Sequence, residues 1–213
     1  MEIFGIPLQA FLGQLLLGLV NGSFYALLSL GLAVIFGLLG IVNFAHGALY
    51  MMGAYVAWIG LEHFGMSYWL ALVVSPIVVG ALGLVIERTR LGSYLRAGTE
   101  NPALVQAFGV NVPLMVMLTY AAGAGLAAIA GVLAAPVIQI TPLMGSNLII
   151  VVFAVVVIGG MGSILGSILT GLMLGIIEGL TKVFYPEASN IVVFVIMAIV
   201  LIIRPAGLFG KEK

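Results

Sequence analysis

Long apolar runs separated by short polar breaks make up most of the chain. A helix that crosses a membrane needs about 20 consecutive, mostly apolar residues, because lipid offers its backbone polar groups no partners. We therefore predict about seven helical segments, some of them broken or re-entrant. They fall in the runs Leu8–Leu39, Ala48–Leu61, Tyr68–Ile86, Pro113–Ala135, Leu148–Leu180 and Ile191–Ile203.

Two of these runs are longer than one crossing requires. The run Leu8–Leu39 is interrupted by Asn21-Gly22-Ser23, so it is either one tilted helix or a span plus a half-helix. Six of the seven basic residues lie in 88–96 and 204–213, and basic residues favour the cytoplasmic side. Both stretches are cytoplasmic only if the run Leu148–Leu180 crosses twice. We expect it to turn at its glycine break, Gly159-Gly160-Met161-Gly162-Ser163.

The composition agrees with a chain surrounded by lipid. Hydrophobic residues make up 63% of it and charged residues 7%, whereas soluble domains are about 25% charged. Seven basic and seven acidic residues give no net charge and no basic stripe for nucleic acid. There is no Cys, and the two His, His46 and His63, lie in unrelated places, so we expect no metal site. No enzyme motif is present, and we expect no catalytic residue and no cofactor. The chain is predicted to be an all-α polytopic membrane protein with one transmembrane domain over residues 1–213.

Polar residues inside the apolar runs are the candidates for a substrate pathway. Those in the N-terminal third make hydrogen bonds between helices or line a path or hinge, and we leave both interpretations open. The glycine break near residue 160 is either a simple turn or a re-entrant element beside a path, as in the discontinuous helices of transporters. Ser163 stands where it could cap the following helix. The candidate pathway residues are Asn21, Ser23, Asn43, His46, Gly159, Gly160 and Ser163.

Glu178 is the acidic residue that falls within a predicted span. Lys182 follows it by four positions, which is the favourable order for an ion pair on a helix. The pair is either structural or part of a proton relay, and ion-coupled transporters usually carry ionisable residues at depth. Small residues at four-residue spacing, such as Gly18…Gly22 and Gly171…Gly175, predict close helix packing in lipid.

The segment 87–112 is predicted to be a cytoplasmic loop that contains a short helix. Asn101-Pro102 is a good helix start and Gly109 a good helix end, which predicts a helix over about 102–108. Apolar residues alternate with charged and amide residues through the loop. The apolar face of the helix therefore either docks a partner or lies on the membrane surface.

Several stretches, taken together and in this order, resemble the permease subunits of branched-chain amino acid ABC transporters. The resemblance covers most of the chain, and its specificity lies in the combination of stretches. They are Gly18–Leu28 with Ile35-Phe36-Gly37, Val42-Asn43-Phe44-Ala45-His46-Gly47, Arg88-Thr89-Arg90-Leu91-Gly92, Asn101-Pro102 with Gly109-Val110-Asn111, Gly159–Ser163 and Arg204–Leu208.

The resemblance implies a role and a set of partners. It implies a permease bundle like that of type II ABC importers, in a bacterial or archaeal plasma membrane, that translocates branched-chain or similar small amino acids. The implied partners are a second related permease subunit, two cytoplasmic ATPase subunits and an extracytoplasmic substrate-binding protein. The loop helix would then be the coupling helix that docks on an ATPase, although the acidic residue of the family signature is absent here. The implied coupling residues are Arg96, Asn101, Pro102, Ala103, Leu104, Val105 and Gly109.

The chain departs from the family in length. Family members normally contain two further spans between the positions that correspond to Glu87 and Arg88, which are adjacent here. Loss of two crossings keeps the orientation of everything downstream, but it removes helices that would help to enclose a pathway. The alternative function is therefore a non-conducting structural or scaffold subunit, or a degenerate permease.

Overall fold

A computed structural model describes residues 2–3, 6–40, 43–87 and 111–210. These residues form seven α-helices, one 3₁₀ turn over Pro186–Ala188, and an antiparallel pair of two-residue strands, Glu2–Ile3 and Ile6–Pro7. The helices are α1 (Leu8–Leu39), α2 (His46–Phe64), α3 (Tyr68–Glu87), α4 (Val112–Ala134), α5 (Met144–Gly159), α6 (Ile164–Phe184) and α7 (Ser189–Ile203).

The two long apolar runs form different structures, one a single helix and the other a pair of helices. α1 is a single continuous helix of 32 residues through Asn21-Gly22-Ser23, which decides between the two alternatives for that run. The run Leu148–Leu180 divides at the glycine break into α5 and α6, as predicted. Gly160 and Gly162 have φ of 99° and 83°, the left-handed region that glycine adopts without strain, and they end the helical hydrogen bonding there.

Four helical segments in the described residues are long and apolar enough to cross a membrane: Leu8–Gly37, Val112–Ala134, Ile164–Phe184 and Pro186–Ile203. The segments Tyr68–Leu82 and Met144–Gly159 are apolar but shorter. α2 belongs to neither group, so its crossing of the membrane stays a prediction. The all-α, multi-pass membrane architecture predicted from the sequence is confirmed.

The chain forms two compact units. The first comprises Met1–Ser29 and Ile150–Lys213, and the second comprises Leu30–Ile149. The first unit therefore holds the N-terminal part of α1, most of α5, and α6 with α7. The second unit holds the C-terminal part of α1, with α2, α3 and α4.

Glycines hold α1 and α6 together in the first unit. A methyl group added at Gly18 would lie 2.6 Å from the carbonyl oxygen of Gly175, and one at Gly22 would lie 2.9 Å from that of Leu172. Positions further along α1 meet earlier positions on α6, so the two helices run antiparallel. Side chains larger than hydrogen would hold the backbones apart, and close approach is the main source of helix attraction in lipid. We call this contact the α1–α6 seam, formed by Gly18, Gly22, Gly171, Gly175 and Gly179.

α4 packs against both α2 and α3 in the second unit. A methyl group at Gly53 of α2 would lie 2.5 Å from the Cα of Ala128, so the backbones of α2 and α4 nearly touch. Ala57, Ala71 and Val132 form a buried cluster that joins the three helices. Small residues again let the helices approach closely.

Candidate functional site

The polar break between α1 and α2 is organised by Asn43. Its Oδ1 accepts a hydrogen bond from the backbone N–H of Ala45 at 3.0 Å, and its Nδ2 donates to the hydroxyl oxygen of Tyr120 on α4 at 3.0 Å. The backbone N–H of His46 donates to the Asn43 carbonyl at 3.1 Å. Asn43 therefore forms the turn that starts α2 and ties that turn to α4. Asparagine suits this position because its short side chain can bond to the backbone two residues on.

His46 opens α2 and is fully buried. The predicted helix started at Ala48, so the structure places His46 in the first turn and not in the break. The imidazole packs against Gly31 of α1, where an added methyl group would lie 2.9 Å from Nε2 and 2.8 Å from the carbonyl oxygen of Gly123. Gly31 thus makes room for both the imidazole and the backbone of α4. The predicted pair Asn43 and His46 is brought together at one junction, in which His46 is buried and Asn43 is half-buried.

Asn21 and Ser23 lie in the middle of continuous α1 and are half-buried. The Ser23 hydroxyl donates to the carbonyl of Leu19 at 2.9 Å, within its own helix. Ser23 therefore bonds within its own helix, whereas one of the two interpretations of the sequence expected a bond to another helix. Gly22, between the two residues, faces α6 across the seam.

The glycine break holds Gly159, Gly160 and Ser163 in one turn. The Ser163 hydroxyl accepts a hydrogen bond from the backbone N–H of Gly166 at 3.1 Å, so the predicted N-cap of α6 is confirmed. A methyl group at Gly159 would lie 2.6 Å from the carbonyl carbon of Gly166, and the start of α6 therefore lies directly against the end of α5.

The C-terminal segment Arg204–Gly210 completes this turn. The backbone N–H groups of Leu208 and Phe209 donate to the carbonyls of Ile158 and Gly159 at 2.8 and 3.1 Å. The last carbonyls of a helix have no partner within the helix, and here the segment supplies one. We call residues 204–210 the C-terminal strap. Sequence reasoning missed it, because the partners are about 50 positions apart along the chain and bond through their backbones.

Glu178 is buried and accepts two hydrogen bonds. Lys182 Nζ lies 2.6 Å from Oε1, so the ion pair that the spacing predicts is present. The hydroxyl of Tyr25 on α1 donates to Oε2 at 2.8 Å. The Lys182 bond had a local signal in the sequence, whereas the Tyr25 bond had none. Two donors satisfy a carboxylate that would otherwise be costly to bury.

The predicted coupling residues, Arg96, Asn101, Pro102, Ala103, Leu104, Val105 and Gly109, lie outside the described residues. The seven predicted pathway residues are all described, and they fall at three places. Asn21 and Ser23 lie in mid-α1, Asn43 and His46 at the α1–α2 junction, and the remaining three in the α5–α6 turn. Within the described parts of the chain, no group of three or more His, Cys, Asp or Glu residues could hold a metal ion.

Comparison with known proteins matches most of this chain to one family of membrane permeases. The family described as the permease component of the branched-chain amino acid transport system matches residues 14–87 and 84–201. The high-affinity branched-chain amino acid transport system permease protein BraD of Pseudomonas aeruginosa is 28% identical over 95% of this chain and 97% of its own length. The corresponding LivH protein of Escherichia coli is 25% identical over 95% of this chain and 96% of its own. The galactofuranose transporter permease protein YtfT of Escherichia coli is 30% identical over 94% of this chain and 64% of its own. No solved structure matches the chain.

The comparisons also locate the difference in length. The two family matches meet at residues 84–87, where the sequence predicts that spans are missing. The alignment with BraD extends over 297 positions, whereas this chain has 213 residues, so BraD contains residues without a counterpart here. Together the two matches extend from residue 14 to residue 201. This protein belongs to the family of permease components of branched-chain amino acid transport systems.

Proposed function

We propose that this chain forms part of the membrane pathway of an ATP-binding cassette importer for branched-chain or similar small amino acids. The observation that carries the proposal is the family match on both sides of residues 84–87, with the BraD and LivH relatives aligned over 95% of the chain. The chain is the non-catalytic permease, in the plasma membrane of a bacterium or archaeon. Two cytoplasmic ATPase subunits hydrolyse ATP, a second related permease completes the path, and an extracytoplasmic binding protein delivers the substrate.

The hydrogen-bond partners of Glu178 favour an ATP-driven importer over an ion-coupled transporter. An ion-coupled transporter uses ionisable groups at membrane depth that gain and lose a charge partner. Here both carboxylate oxygens of Glu178 already have donors, from Lys182 and Tyr25. The energy source is then expected on separate subunits.

The names of the relatives favour an amino acid as substrate. BraD and LivH are named for branched-chain amino acids and align with this chain almost from end to end. YtfT is named for galactofuranose and is aligned over 64% of its length, so the substrate has to be measured directly.

The α1–α2 junction and the α5–α6 turn are the proposed path-lining elements. Both are places where a helix is interrupted by glycine or asparagine, and interrupted helices are common beside paths in transporters. In this proposal Asn43, His46, Gly159, Gly160 and Ser163 line or shape the path. Asn21 and Ser23 take part from mid-α1.

The segment 87–112 is proposed to be the cytoplasmic coupling loop of a single permease domain. The basis is the sequence alone, in which Asn101-Pro102 starts a helix and Gly109 ends it. Under this proposal the apolar face of the helix fits a groove of an ATPase subunit.

A second candidate function follows from the interruption of the family match at residues 84–87. A permease that lacks part of its bundle could anchor partners without conducting solute. A structural subunit and a permease are both expected to bind the ATPase, but only the permease is expected to support uptake.

The deciding experiment combines a detergent pull-down with uptake into proteoliposomes. The chain is purified with the ATPase subunits encoded beside it, in its natural form and as Gly109→Trp. Gly13→Trp is the matched control, because Gly13 is exposed on α1 and no described atom of another helix lies within 4 Å of a methyl group added there. The proposal expects Gly109→Trp to abolish ATPase binding and leucine uptake, while Gly13→Trp keeps both.

Each other outcome has a defined meaning. Uptake that survives Gly109→Trp overturns the ABC assignment. ATPase binding without uptake by the natural chain, reconstituted with every partner, favours the structural subunit. If the chain is helical by circular dichroism but does not bind the ATPase, the permease proposal is contradicted. The chain is then a degenerate relative of the permease family.

A further inference from the structure

The C-terminal strap presents a basic side chain between apolar ones at the end of α7. α7 ends at Ile203, and the side chains of Ile202 and Ile203 are 81% and 73% exposed. Arg204 follows immediately and is exposed. Phe209, at the other end of the strap, is 46% exposed. A helix that leaves the hydrocarbon region typically has apolar residues followed by a basic residue at the headgroup level.

The strap is held in place by its own backbone. Leu208 and Phe209 donate to the carbonyls at the end of α5, and Arg204 Nη1 donates to the carbonyl of Leu208 at 3.3 Å. Gly207 adopts a φ of 82°, which turns the chain back towards Gly160. The guanidinium is therefore positioned by a structured turn, and among the residues that the structure describes its hydrogen-bond partner is the Leu208 carbonyl.

A polar hollow of about 340 Å³ is lined by Arg204, Ala206, Gly207 and Gly210. The sequence continues with Lys211-Glu212-Lys213, so the last ten residues contain three basic residues and one acidic residue. A basic hollow next to exposed apolar side chains fits a ligand with an anionic head and an apolar tail.

We propose that the C-terminal strap binds an anionic phospholipid, with Arg204 on the phosphate of the headgroup and Ile202, Ile203 and Phe209 on its acyl chains. Arginine suits this role because its planar fork of N–H donors matches phosphate oxygens. Basic residues close to the membrane surface each strengthen binding to anionic lipid, and salt weakens the effect. The strap lies on the side that the basic residues predict to be cytoplasmic. The inference does not depend on the transport function.

The test measures lipid affinity of the purified, delipidated chain by native mass spectrometry. The probes are phosphatidylglycerol and phosphatidylcholine with identical acyl chains. Arg204→Gln removes the charge and Arg204→Lys retains it without the fork. Arg88→Gln is the matched control, since it removes one positive charge from the same predicted side of the membrane but outside the strap.

The expected result is a preference of the natural chain for phosphatidylglycerol that Arg204→Gln lowers about fivefold at low salt. Arg204→Lys is expected to retain most of the preference, and Arg88→Gln all of it. An unchanged preference in Arg204→Gln overturns the proposal. So does an equal loss in Arg88→Gln, which would indicate diffuse charge, or an equal loss of phosphatidylcholine, which would indicate apolar contact alone. Should Arg204→Gln fail to fold, a natural chain without preference between the two lipids at low salt overturns it equally.

Discussion

Gly175→Ala tests whether the α1–α6 seam depends on the absence of side chains. The added methyl group would meet the Cα and N of Gly22, and it would lie 2.5 Å from the carbonyl oxygen of Gly18. Ordinary contacts of a methyl carbon begin at about 3.4 Å. All three neighbours are backbone atoms, so no side chain can rotate away. The two helices therefore have to separate by about 1 Å.

The cost follows from that separation. A gap of about 0.5–1 Å forfeits a quarter to a half of the attraction of each atom pair along the contact, and overpacking typically costs about 1–3 kcal/mol. The central place of Gly175 in the seam puts the expected cost at about 2–3 kcal/mol. Alanine regains about 0.5–1 kcal/mol over glycine within a helix. The free energy of unfolding should thus fall by about 1–2.5 kcal/mol.

Gly13→Ala separates the two contributions. Gly13 lies in the same kind of apolar helix, but an added methyl group would find no described atom of another helix within 4 Å. This variant receives the gain in helix propensity without the cost of separation, and its unfolding free energy should rise by about 0.5–1 kcal/mol. The difference between the two variants therefore measures the seam alone.

The assay is thermal unfolding in detergent, followed by circular dichroism. A change of 1 kcal/mol shifts the midpoint by about 2–4 °C in chains of this size. Gly175→Ala should unfold roughly 2–10 °C below the natural protein, and Gly13→Ala at or above it. Equal midpoints for the two variants would refute the reasoning, since the seam would then tolerate a methyl group at its closest contact.

Three further outcomes are expected. Tyr25→Phe should cost about 1–2 kcal/mol of unfolding free energy, because Glu178 loses one of its two donors; a double-mutant cycle with Glu178→Leu, which cannot accept the bond, measures the coupling, and additive effects would contradict the bond. Gly207→Ala should expose the amides of the strap to faster hydrogen exchange, because its φ is 82° and the methyl group would lie 2.6 Å from the Cα of Gly160; unchanged exchange would show that the strap tolerates strain. Asn43→Ala should lower amino acid uptake about tenfold while ATPase binding stays intact, which corresponds to roughly 1.4 kcal/mol; full uptake would remove Asn43 from the path.

The helix positions were largely predictable from the sequence. The expected start and end of α3, α4 and α7 lie within one or two residues of those observed. Local chemistry contributes to this agreement at the start of α4, since Asn111 accepts a hydrogen bond from the backbone N–H three positions on. Signals of this kind involve neighbours in the chain, and a single sequence contains them completely.

The partners of the candidate residues were not predictable in the same way. His46 was recognised as a polar residue at a break, but its packing against Gly31 depends on how α1 meets α2. Asn43 was recognised for its turn, whereas its bond to Tyr120 joins residues 77 positions apart. Side-chain partners at such separations follow from the fold, and any of several polar residues would have satisfied the same local pattern.

The sequence by itself determined that this chain lies in a membrane, where most of its helices lie along the chain, and which family it belongs to. Those properties depend on hydropathy, caps and ordered motifs, which act over a few residues or a few turns. Only the tertiary structure decided which glycines meet. The same four-residue glycine spacing occurs in α1 and α6, and it does not indicate which helix packs against which. In lipid, one apolar helix surface is not driven to pack against any particular other one by hydrophobicity alone. The fit of backbone against backbone makes the choice, and that fit exists only once Gly18 and Gly22 lie against Gly175.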